Sequence, residues 1–173
     1  MHRQFPHPDR VIVGALGPVG ERRFLIQMRQ RGELATLELG REAVLSIAKR
    51  IDSLLHEAAA LGWIGECTHL EPELGPLDAP VEVLFEVHAV GWALDASRGA
   101  IQLEFYSGSV DPEGTELAGL VQLWLYPRMA RQFAARARAI VSVADPSCPF
   151  CAQPVHPAGH ICPRANGLRT ALF

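Results

Sequence analysis

Seventeen residues near the C-terminus, Cys148-Pro149-Phe150-Cys151-Ala152-Gln153-Pro154-Val155-His156-Pro157-Ala158-Gly159-His160-Ile161-Cys162-Pro163-Arg164, restrict this chain more than any other stretch. Prolines at 146, 149, 154, 157 and 163 forbid a helix. So short a segment cannot build a core of its own. It does hold three of the four cysteines, with two histidines between them. Cys148-x-x-Cys151 puts two sulfurs on one turn, and His160-x-Cys162 puts two side chains on one side of an extended segment. Together Cys148, Cys151, His160 and Cys162 offer the Cys3His shell that structural Zn2+ prefers. The ion would staple what the segment cannot hold by burial. His156 is an alternative to His160, or both imidazoles bind and Cys162 is left out; the tighter His160-x-Cys162 pair favours His160 with Cys162. Two other readings are a redox dithiol at Cys148 and Cys151, and a catalytic ion with an open position. Redox pairs usually open a helix after a strand, and catalytic zinc usually sits in a deep pocket, so a structural ion is preferred.

The segments Cys148-Pro149-x-Cys151, Pro154, and Gly159-His160-Ile161-Cys162-Pro163-Arg164-x-Asn166-Gly167 resemble the C-terminal signature of an uncharacterised family. That family occurs mainly in actinobacteria and related high-GC bacteria. The opening run Val11 to Gln27, with its glycine-rich turn and Arg23-Phe24-x-x-Gln27, is similar to the start of the same family. The resemblance implies full-length similarity and a bacterial zinc-type protein. In that family the position of His156 is usually not histidine, which also favours His160. The resemblance carries no activity with it.

The chain has 173 residues, enough for one domain with a small appendage. Residues 1–144 read as an α+β core with halves near 9–62 and 80–144, and residues 145–173 as a zinc-knuckle-like segment. No apolar run is long enough to cross a membrane, and Met1 to Pro6 lacks the apolar stretch of a signal peptide. With a Cys-x-x-Cys metal motif, a reducing cytoplasm is the expectation.

Strands are expected at Val11–Gly14, Arg23–Met28, Leu34–Leu39, Val81–Leu94, Ala100–Tyr106 and Leu120–Tyr126, where apolar runs end at turn residues. Residues 1–9 read as an arm. Gly14-x-x-Gly17-x-x-Gly20 joins two strands, so it reads as a hairpin turn rather than a phosphate loop. Residues 41–60 carry an apolar stripe at helical spacing, and Gly62 ends that helix. Pro127 opens a second helix with Met129, Ala130, Phe133, Ala134, Ala137, Ile140 and Val141 as its stripe. The order strand-strand-strand-helix thus occurs twice. Leu37-x-Leu39 and Ile47-Ala48-x-Arg50 align with Leu123-x-Leu125 and Phe133-Ala134-x-Arg136 at one offset. An antiparallel sheet with two β-β-β-α halves, finished by a zinc-stapled loop, is the expected fold.

Net charge is −3, but residues 1–116 carry −8 and residues 117–173 carry +5. Arg128, Arg131 and Arg138 fall near one face of the second helix with Arg136 beside it, and Arg164, Asn166 and Arg169 follow the knuckle. Such a surface suits an anionic partner: an acidic protein, an RNA or a phosphorylated ligand. It suits equally a dock onto the acidic first part of the same chain. A binding or regulatory module is therefore the leading functional expectation. The alternative is a hydrolase or transferase on a polar sheet face that gathers Glu82, Glu86, His88, Gln102, Glu104 and Tyr106. There Glu86 and His88 would act as base and acid, supported by Glu82 or Glu104. Cys67 and His69 form a further pair, read as a buried thiol beside a surface imidazole. A structural subunit that docks through Leu172-Phe173 is a third expectation.

Overall fold

The computed structural model describes residues 1–18, 21–65, 71–108 and 119–144, together with residues 148, 150, 151, 155, 162 and 164. Its first unit begins with three antiparallel strands, β2 (Arg10–Leu16), β3 (Arg23–Gln30) and β4 (Glu33–Leu39). Arg31 and Gly32, both at positive φ, make the tight turn between β3 and β4. The register aligns Val13, Ile26 and Leu37 across the three strands, so alternate residues reach the core together. Helix α1 (Arg41–Ala60) buries Val44, Ile47, Ala48, Ile51, Leu54, Leu55 and Ala58, and Gly62 at φ 70 follows its end.

The second unit repeats this pattern. Strands β6 (Ala89–Asp95), β7 (Ala100–Ser107) and β8 (Gly119–Leu125) are antiparallel and align Trp92, Leu103 and Leu123. Helix α2 (Pro127–Ala144) buries Ala130, Phe133, Ala134, Ala137 and Val141. One core cluster draws from both sheets and both helices. Each large apolar side chain in it contributes roughly 1.5–3 kcal/mol. The chain is α+β, as expected.

Each unit also sends one short strand to the other. β1 (His2–Phe5) runs parallel to β8, and β5 (Val83–Glu86) runs parallel to β4. The sheets are therefore β1-β8-β7-β6 and β2-β3-β4-β5, mixed rather than purely antiparallel. The expected arm at residues 1–9 contains a strand. The expected single strand from Val81 to Leu94 is a second correction, because it is two strands in two sheets. Val87 N–H donates to Glu38 O at 2.8 Å, while the next N–H, of His88, donates to Tyr106 O at 2.9 Å. The chain changes sheets between these two residues.

Residues 71–80 strap the outer face of the β2-β3-β4-β5 sheet. The side-chain amide of Gln27, 1 % exposed, accepts from Asp78 N–H at 2.6 Å and donates to Asp78 O at 2.9 Å. A buried amide needs such partners. Arg10 donates to Glu73, Asp78 and the Pro76 carbonyl, and Arg29 pairs with Asp78.

Candidate metal centre

The sulfurs of Cys148, Cys151 and Cys162 all lie within 4.8 Å of one another. Cys148 and Cys162 are buried, Cys151 is half-buried, and none of the three is in a disulfide. The Cys148 and Cys162 sulfurs are 3.8 Å apart. Two thiolates on one tetrahedral zinc, each bound at about 2.3 Å, stand roughly 3.8 Å apart. The donor set and its spacing therefore fit a thiolate-bound ion. The N–H groups of Phe150 and Cys151 donate to the Cys148 sulfur and, against the opposing effect of burial, hold its thiol down at about 6. Arg164 donates from Nη1 to the Phe150 carbonyl at 3.0 Å, between the two cysteines of the first turn.

A family described as "Protein of unknown function (DUF3090)" matches residues 3–162. The chain belongs to this family. The match spans both units and reaches Cys162, so fold and cysteine cluster fall within the region that defines DUF3090. No curated protein and no solved structure matches the chain. No helix among the described residues of this DUF3090 protein is long and apolar enough to cross a membrane.

The remaining expected metal ligand, His160, lies outside the described residues, as do His156, Cys67, His69, Asn166 and Arg169. The arginines of α2 divide. Arg128 is exposed. Arg131 is half-buried, and its Nε has no hydrogen-bond partner among the described residues. Arg138 pairs with Asp52 of α1 at 2.6 Å, a contact between the basic and acidic parts of the same chain. Arg136 is 3 % exposed and donates to the carbonyls of Val13, Glu73 and Gly75. Helical spacing set it beside the surface arginines, and its burial comes from the strap.

The expected polar constellation is divided between the two sheets. Glu86 ends β5 in one sheet, Glu104 is on β7 in the other, and Glu82 precedes β5. His88 Nδ1 lies 3.1 Å from both the Gly108 N–H and the Glu86 carbonyl, so its contacts are to backbone rather than to a carboxylate. Glu104 instead gathers Tyr106, Gln102 and Gln122, at 2.5, 3.0 and 2.7 Å. Gln122 in turn contacts Gln4 and His2 of β1. These donors lower the Glu104 pKa, with Tyr106 the largest influence, and the hydrogen bond to Glu104 raises that of Tyr106. The sequence places Gln102, Glu104 and Tyr106 on one polar face but gives no sign of Gln122, Gln4 and His2, because residues 1–9 alone read as an arm.

Proposed function

We propose that this DUF3090 protein is a bacterial, cytoplasmic zinc protein that works by binding, with one structural ion held by Cys148, Cys151, His160 and Cys162. The convergence of three sulfurs carries this reading. An ion there joins residues 148–151 to residue 162 and fixes the basic segment that contains Arg164, Asn166 and Arg169. That segment, with Arg128 and Arg131 of α2, forms the surface for an anionic partner: an acidic protein, an RNA or a phosphorylated ligand. Arg138 and Arg136 stand apart from it, since their charges are met within the chain.

The test has two parts. Elemental analysis of protein purified without added metal should find one zinc per chain, lost in Cys162→Ser. Chelation should leave the core's circular dichroism nearly intact, because the buried cluster of the two units includes none of the three cysteines. Retention on immobilised heparin, a polyanion probe, should fall steeply with salt and weaken in an Arg128→Ala/Arg131→Ala double variant. A protein without metal refutes the first part. Retention that ignores both salt and the substitutions refutes the second.

A further inference from the structure

Two four-stranded sheets have four edges, and three of them are protected. β1 and β5 are only four residues long. At the edge of β2, the Val13 carbonyl accepts from Arg136. The fourth edge, β6, runs for seven residues and is uncharged from Ala89 to Leu94. It contains no proline and no lysine, the usual guards of an exposed edge. No backbone group of another described residue bonds to its far side.

Apolar surface continues from this edge. Val90, Trp92 and Leu94 are half-buried at the margin of the core. Leu94 shares a crevice with Ile64 and with Trp63, which is 47 % exposed. An exposed tryptophan such as Trp63 near an open strand is characteristic of a surface that buries itself against protein.

The order of residues in β6 suits a second copy of the same strand. A two-fold axis through Trp92 sets each Val90 against Leu94 of the other copy and each Gly91 against Ala93. Ala89 then faces Asp95. Large residues meet large, small meet small, and no like charges are opposed. We propose that two copies of the chain pair β6 to β6, antiparallel about Trp92, to make one continuous sheet of eight strands.

Sedimentation of the full chain at low salt, over a concentration series, tests this together with hydrogen exchange at residues 89–95. Exchange in β6 should slow as the dimer forms. Ala89 is exposed, so it accepts substitution without disturbing the fold. Ala89→Asp opposes Asp95 twice per dimer and should raise Kd roughly two- to thirtyfold. Ala89→Lys should lower Kd by a similar factor. A chain that stays monomeric overturns the proposal. So does a dimer that leaves β6 exchange unchanged, or whose Kd the two substitutions do not move in opposite directions.

Discussion

The side chain of Arg136 reaches from α2 to the edge of β2, where its Nε–H donates to the Val13 carbonyl at 2.5 Å. The same guanidinium donates to the carbonyls of Glu73 and Gly75, the latter at 2.7 Å. One side chain thus joins a helix, a sheet edge and the strap. Burial pushes its pKa down, and the nearby Glu73 carboxylate acts against that. A guanidinium stays charged regardless.

Replacement of Arg136 by alanine leaves buried carbonyls without donors. A loss of about 3 kcal/mol is expected, equivalent to one or two orphaned groups. Lysine should recover less than half of it, because a single ammonium cannot serve carbonyls in three directions as a planar fork does. Urea unfolding of the native chain and the two variants measures both effects. Equal midpoints for the native chain and the alanine variant would show that the convergence is incidental.

Gly14 makes room for the strap. A Cβ at this position would lie 2.6–2.8 Å from three carbons of Leu77, too close for either residue to stay in place. Gly14→Ala should therefore destabilise by about 1–3 kcal/mol through overpacking. Leu77→Ala removes the obstruction, so the double variant should be more stable than the sum of the single effects predicts. Strict additivity in a thermodynamic cycle would mean that the strap does not press on β2.

The elements that local pattern controls were legible. The α1 stripe, the Pro127 start of α2 and the hairpins follow from periodicity and turn residues, and the structure keeps them. Cysteine spacing is also local, which explains why Cys148, Cys151 and Cys162 converge as read. The change of sheet between Val87 and His88 was not legible. Alternation continues across it with no glycine or proline, and only the distant acceptors Glu38 and Tyr106 divide the run. That hidden break separates Glu86 from Glu104, which a single strand would have placed on one face. The burial of Arg136 was equally invisible, since its acceptors lie about sixty residues or more away in sequence. Polar His2-Arg3-Gln4 becomes a strand only because β8 offers it an edge.

The strap should loosen in acid. A hydrogen bond from Arg10 holds the Glu73 carboxyl below its ordinary value, with lesser help from the charges of Arg10 and Arg136 and from Gly75 N–H. A carboxylate whose folded pKa is depressed stabilises fully above its unfolded value of about 4.3, and that contribution fades as pH falls through the folded value. Glu73→Gln should therefore reduce the stability difference between neutral pH and about pH 3. Urea titrations at both pH values give the comparison. Identical pH dependence in the two proteins would mean that Glu73 ionisation does not hold the strap. Glu73 is half-exposed, so salt should weaken the effect.

The cysteine site makes its own prediction about protons. The N–H groups of Phe150 and Cys151 favour the charged sulfur of Cys148 and bring its thiol to about 6. Because the folded value is depressed below an unfolded thiol near 8.5, the thiolate's contribution is complete above that pH and is lost as pH falls through the folded value. At neutral pH the metal-free chain should already carry one thiolate at Cys148, visible in its ultraviolet absorbance and absent in Cys148→Ser. Metal uptake at that pH should then release fewer protons than the three that three neutral thiols would give up. Calorimetry in buffers of different ionisation enthalpy counts the protons. Release of three, with no thiolate absorbance beforehand, would mean that the two N–H donors do not preorganise the site and that the ion alone ionises all three sulfurs.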